Sequence, residues 1–167
     1  NNDGWWAASG IASTSGGNCA ELVNGDPTAS PATQALNVVY TLTSAQPIDI
    51  ANLGGSNQVS LQFQQYGARF NDLQEMQIST DGTTFTPVQT YTSTQGNAIG
   101  FQASPIVIDL ASYLGQATVY IRFSYTASYD WYWAIDNVSV SGVFSTPPPP
   151  TTAQLLSRMA SKSATWV

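Results

Sequence analysis

Eight aspartates and two glutamates are the chain's entire carboxylate supply; with no histidine and one cysteine, few side chains here can react. Lacking histidine, the chain cannot run Ser–His–Asp or Cys–His nucleophile chemistry, and it has no ordinary near-neutral general base. Cys19 is alone, which rules out an intrachain disulfide and a cysteine-based zinc site. Serines are plentiful but have no base beside them, since Lys162 belongs to the C-terminal tail. A carboxylate pair could hydrolyse glycosides without histidine. Asp130 and Asp136, however, fall on one expected strand and no second acid accompanies them. The expectation is a protein that is not an enzyme.

Aromatic rings are the other resource. Tyr129, Asp130, Trp131, Tyr132 and Trp133 form a dense run, with Trp5 and Trp6 near the start. Indole and phenol faces stack on the C–H faces of sugars, while amides and carboxylates bond the hydroxyls. A polar strand face carrying Gln62, Gln64 and Gln65 would complete such a groove. The same rings also fill sandwich cores, and strict alternation puts Trp133 inside and Tyr132 outside. Tyr129, Asp130, Trp131 and Tyr132 are the candidate ligand-binding residues.

The rest of the composition narrows the partners. Lys and Arg number 4 among 167 residues, the net charge is −6, and charged residues are only 8%. Four cations cannot build a phosphate-binding surface, so nucleic acid and anionic membrane surfaces are poor partners. No apolar run approaches the ~20 residues of a membrane span. Ser, Thr, Gln and Asn together supply 60 residues. Such an exterior suits hydrogen bonding to glycans or proteins. Because the chain starts at Asn1, it is read as a mature product or an excised part of something longer.

What must position these groups is a set of strands. Leu36, Val38, Tyr40 and Leu42 alternate onto one face, as do Val59, Leu61 and Phe63. Met76 and Ile78 lead to Asp81-Gly82, a hairpin signal, with Phe85 and Val88 on the returning strand. Ile106, Ile108 and Leu110 alternate again, followed by Val119, Ile121, Phe123 and Tyr125 against Tyr120, Arg122, Ser124 and Thr126. Tyr113 and Leu114 are expected to plug one end of the core. A final strand runs over about residues 131–141. There Ile135 and Val138 cannot share a face, so a bulge or an exchange of burial is expected near Asp136-Asn137. Asn137-Val138-Ser139 matches a glycosylation sequon but falls inside this strand and is set aside.

About eight short strands between Gly, Asn, Ser and Pro turns predict an all-β fold: an antiparallel two-sheet β-sandwich of jelly-roll type. It is assigned residues 1–143. Residues 144–152, containing Pro147 to Pro150, read as an extended proline-rich linker. Residues 153–167 place Leu155, Leu156 and Met159 at helical spacing beside Arg158 and Lys162. They are either a frayed tail, the start of a further segment, or a docking peptide.

Four motifs in order, VSLQFQQYG, LQEMQISTDGTTFTPV, IVIDLASYLGQATVYIRFSYT and WYWAIDNVSV, resemble the cleaved-adhesin and MAM-like jelly-roll modules. The stretch LTSAQPIDIANLGG extends the likeness towards the N-terminus, and together they cover about two-thirds of the chain. Phe85 stands where that family commonly has tryptophan. The resemblance implies a non-catalytic module of a large secreted or cell-surface bacterial protein, often one exported by type IX secretion. Its expected partner is a glycan or a surface protein. The alternative is a structural spacer recognised by a secretion or anchoring partner, through the tail for instance, or an accessory domain of a secreted hydrolase.

Modules of this shape commonly hold a structural Ca²⁺ between an early loop and a carboxylate of the final strand. Asp136 is the candidate for the latter, with Asp3 and Glu21 as partners and Asn24 and Asp26 as further oxygen donors. Calcium takes six to eight oxygens. The competing expectation is that Asp136 caps nearby backbone N–H groups.

Overall fold

The computed structural model describes residues 12–24, 36–51, 56–67, 71–93, 101, 104–128 and 132–144. Within them lie eight strands: β1 (Ala20–Val23), β2 (Leu36–Thr43), β3 (Ser56–Tyr66), β4 (Leu73–Ser79), β5 (Thr86–Tyr91), β6 (Ile106–Asp109), β7 (Tyr120–Ser128) and β8 (Tyr132–Phe144). One sheet has the order β1-β8-β3-β6 and the other β2-β7-β4-β5. Every pairing is antiparallel. Only β4 and β5 are consecutive neighbours within a sheet; each other connection crosses to the opposite sheet. That order is the double Greek key of a jelly roll.

Alternation places the core where the sequence puts it. Val59, Leu61 and Phe63 from β3 face Met76 and Ile78 from β4 and Ile121, Phe123 and Tyr125 from β7, all buried. Phe63 meets Phe123 edge-to-face across the sheets at 4.9 Å and 75°. A buried aliphatic or phenyl side chain of this kind contributes roughly 1.5–3 kcal/mol through loss of hydrated apolar surface. Trp133 and Ile135 from β8 complete the layer.

Where the expectations fail, a bulge or a short element is responsible. Leu36 does not share the inner face with Tyr40 and Leu42 but is 55% exposed. Asn37, at φ 53°, inserts an extra residue opposite the Ser128–Ala127 step and turns Leu36 outward. Val88 likewise sits at a register shift between β4 and β5 and is exposed. The 3₁₀ turn Ala111–Tyr113 lifts Leu114 to 38% exposure, so Leu110 is the buried plug beside Tyr113. Strand β8 runs on to Phe144.

The β4–β5 hairpin follows from Asp81-Gly82. The Asp81 carboxylate accepts hydrogen bonds from the Thr83 and Thr84 amides and from the Ser79 hydroxyl. The Thr84 and Thr83 N–H groups hold it well below the usual carboxylate range. Gly82 has φ +76°, and a Cβ there would come within 3.0 Å of the Tyr120 ring. Gly82→Ala is therefore expected to cost about 1–2 kcal/mol, from the left-handed backbone and the crowded ring. Urea denaturation would read this as a lowered midpoint at unchanged m; a midpoint equal to that of the parent would contradict it.

Pairing also fixes which connections share an end of the sandwich. Val23 pairs with Tyr132, Tyr66 with Ala134, Leu36 with Ser128, Leu73 with Thr126 and Gln74 with Tyr91. The connections β1–β2, β3–β4, β5–β6 and β7–β8 therefore all leave from one pole. The β4–β5 hairpin and the β6–β7 turn lie at the other.

Candidate functional site

Two places gather polar or aromatic chemistry. The first is the middle of β8, where alternation breaks. Ile135 and Val140 both face the core although they are an odd number of residues apart. The mismatch is absorbed at Asn137, with φ 52°, and the β3–β8 register shifts between Gln62 and Gln64. This is the bulge expected at Asp136-Asn137.

Asp136 points to the outer face of its sheet and is only 6% exposed. Its Oδ2 accepts hydrogen bonds from Ser13 Oγ at 2.8 Å, Thr14 N at 2.9 Å and Thr14 Oγ1 at 3.1 Å. Its Oδ1 accepts from Asn137 N at 2.8 Å. Burial pushes the carboxyl up, but the bonds from Ser13, Thr14 and Asn137 outweigh it and hold the group below the usual range. Asn137 Nδ2 donates to Gln64 Oε1 and to Thr14 Oγ1. The carboxylate thus ties the segment around Ser13 and Thr14 to the bulge, the capping role set against metal ligation.

Glu21 lies opposite Ala134, so it shares the outer face with Asp136. Cys19 lies between their fields. Burial first, then the Glu21 and Asp136 carboxylates, push its thiol above the usual value. Alkylation of Cys19 by iodoacetamide at pH 8 is accordingly expected to run several-fold slower than for free cysteine, with Glu21→Gln partly restoring it. A rate matching free cysteine would show that neither carboxylate acts on the thiol. Among the described residues, no three His, Cys, Asp or Glu side chains cluster as a metal site. Asp3 and Asp26 lie outside the described residues.

The second place is the pole of the four connections. Beneath it the core turns polar. Trp133 is fully buried and donates Nε1–H to Gln65 Oε1 at 3.0 Å. Gln65 is correspondingly not on the polar face with Gln62 and Gln64, because alternation through Val59, Leu61 and Phe63 carries it inward. Gln74, also fully buried, donates to Asp72 Oδ2 at 2.6 Å. Tyr91 lies against Trp133, and burial raises its hydroxyl pKa despite the neighbouring Gln65 amide. Asn24 accepts from the Tyr40 hydroxyl at 3.5 Å.

No protein-family model matches the chain, and no curated protein is significantly similar to it.

Of the aromatic run, Trp133 is core as expected. Tyr132 leaves the inter-sheet core, yet it is 1% exposed. It packs against Tyr66 at 5.6 Å and joins Phe101 and Ala134 in a second apolar cluster on the outer face. A sugar platform needs an open ring face, and Tyr132 as placed offers none. Sequence reasoning missed this cluster because Phe101 lies 31 positions from Tyr132 with no periodic signal to link them. Tyr129, Asp130 and Trp131 lie outside the described residues, in the connection between Ser128 and Tyr132. Residues 145–152 of the proline-rich linker and the tail lie outside them too, while Phe144, assigned to the linker, closes strand β8.

Proposed function

We propose that this chain is a non-catalytic, extracellular binding module that displays its β1–β2, β3–β4, β5–β6 and β7–β8 connections from a rigid jelly roll. The supporting observation is the convergence of those four connections on one pole, with the candidate ring Trp131 and its neighbours Tyr129 and Asp130 in one of them. Loops fixed at the end of a packed scaffold are the usual location of binding residues. Low charge and abundant hydroxyls and amides favour a glycan or a surface protein as partner. The resemblance to cleaved-adhesin and MAM-like modules agrees with this reading, as does the strand order. A secreted or cell-surface parent protein is part of the same proposal.

The test is a glycan array probed with the intact chain and with Trp131→Ala. Saturable binding lost in the variant supports the reading. Silence across polysaccharides together with a stable protein partner in pull-downs favours the spacer alternative. Calcium is an accompanying proposal, in which Asp136 would exchange its Ser13 and Thr14 donors for the ion. A melting temperature lowered by EGTA and restored by Ca²⁺ supports it, and an unchanged curve removes it.

A further inference from the structure

The outer face of the β2-β7-β4-β5 sheet is polar, and one residue on it is unlike its surroundings. Alternation turns Thr41 and Thr43 of β2, Arg122 and Ser124 of β7, and Glu75 and Gln77 of β4 outward, opposite to the buried Met76, Ile78, Ile121 and Phe123. Register sets them in rows. Thr43, Arg122 and Gln77 form one, and Thr41, Ser124, Glu75 and Thr90 form the next. Arg122 is the only lysine or arginine among the described residues.

Its guanidinium is held in place without being neutralised. The Cζ atom lies 3.4 Å from the centroid of the Phe85 ring, which follows the β4–β5 turn. Nε donates to Thr43 Oγ1 at 3.1 Å. Stacking covers one face of the guanidinium plane and the Nε bond limits its rotation, so the fork is preorganised. The two Nη nitrogens have no hydrogen-bond acceptor among the described residues. Glu75, one row along on the neighbouring strand, does not supply one. Its Oε2 accepts from Gln77 Nε2 at 2.9 Å and its Oε1 from Thr90 Oγ1 at 3.4 Å. A stacked guanidinium with both Nη groups still to be bonded suits bidentate capture of a planar carboxylate.

The neighbours select the rest of the ligand. Glu75 repels a second negative charge, which disfavours a phosphate dianion and an acidic peptide alike. Hydroxyls beside the carboxylate are matched instead, since they donate to Glu75 and bond Thr41, Thr90 and Gln77. A carboxylate on a ring of hydroxyls is that of a uronic acid. We infer that this face binds the uronate unit of an acidic glycan, with its carboxylate on Arg122 Nη1 and Nη2 and its hydroxyls over the Glu75 row. The site lies towards the hairpin end of the sandwich, away from the pole that carries Trp131. It is separate from the binding proposed there and does not depend on it.

NMR titration of the intact chain with a xylotriose bearing a single glucuronate tests the inference. Saturable shifts centred on Arg122, Thr43 and Gln77 are expected, with the methyl ester of the same oligosaccharide binding at least about tenfold more weakly. Arg122→Met keeps the stem over Phe85 and loses the fork. It should weaken binding of the acid about 10–100-fold, the share of a charge-assisted pair, and leave the ester unaffected. Trp131→Ala should leave binding of the acid unchanged, which separates this site from the pole. Equal affinity for acid and ester in the intact chain overturns the inference without recourse to any variant, as do shifts that bypass the Arg122 row. Full affinity in Arg122→Met overturns it too. So does tighter binding of inorganic phosphate or of a glutamate-rich peptide at Arg122 than of the glucuronate, which would assign the fork to another partner.

Discussion

Trp133→Ala is expected to lower the unfolding free energy by about 3–5 kcal/mol, the largest loss of any single truncation in this core. Trp133 is wholly inaccessible and meets Phe123 edge-to-face at 5.6 Å and 76°, with Tyr91 tilted at 5.8 Å. Truncation empties the space where β8, β7 and β5 meet, and the surrounding strands are too constrained by their ladders to collapse into it. It also strips Gln65 Oε1 of its indole donor inside the core. Trp133→Phe separates the two effects. It keeps most of the ring contacts and loses the N–H, so its cost should be nearer 1–2 kcal/mol. Against a typical domain stability of about 5–15 kcal/mol, the alanine variant should unfold at a plainly lower urea concentration. A midpoint for Trp133→Ala within error of the parent would mean that the indole does not bridge the sheets.

The same residue marks what a period-two reading captures. Burial of Val119, just before β7, and of Ile121, Phe123 and Tyr125 within it follows the alternation, because each sits on one face of a regular strand; Ser124, on the opposite face, is buried as well. The β8 bulge was equally legible, since Ile135 and Val138 have incompatible parity and only an inserted residue reconciles the strand with its core. Parity fails when a bulge has no counterpart in the apolar pattern. Leu36 fits the inner face on paper and is turned out by Asn37, a residue whose positive φ leaves no trace in hydrophobicity. Strand β1 escaped notice for a simpler reason: in AELV the bulky apolar residues Leu22 and Val23 are adjacent and do not alternate, so they set no period. The convergence of four connections follows from strand order, which alternation does not encode.

Non-local partners were the least legible part of the candidate site. Asp136 stood out as a costly carboxylate beside a break in pattern, so its need for partners could be inferred. Their identity could not be, because Ser13 and Thr14 lie more than a hundred residues away in sequence. Among so many serines and threonines, nothing distinguishes these two. Tyr132 gives the opposite case. Its direction out of the inter-sheet core was correct, but its burial depends on Tyr66 and Phe101, contacts that only the folded chain brings together.

Removing that carboxylate is the second large effect expected. Asp136→Ala should cost about 2–4 kcal/mol, since hydrogen bonds to a charged group are worth about 1.5–3 kcal/mol and the donors around it are partly buried. Asp136→Asn preserves shape and one acceptor oxygen but turns an amide N–H₂ towards at least one donor, so an intermediate loss of about 1–2 kcal/mol is expected. The pH dependence carries a definite sign. Folding holds the Asp136 carboxyl below its unfolded value of about 3.9, so its contribution is full above that pH and fades as pH falls through the folded value. Asp81 has the same sign, so the share of Asp136 must be read as the reduction in acid sensitivity between the parent and Asp136→Asn. Locality provides the sharper check. The carboxylate joins Ser13 and Thr14 to the bulge, so amides of β1 should exchange faster in the alanine variant well before those of Leu61 or Phe123. Uniform acceleration across both sheets would instead make Asp136 one more contributor to global stability and not the clasp between the N-terminal turn and β8.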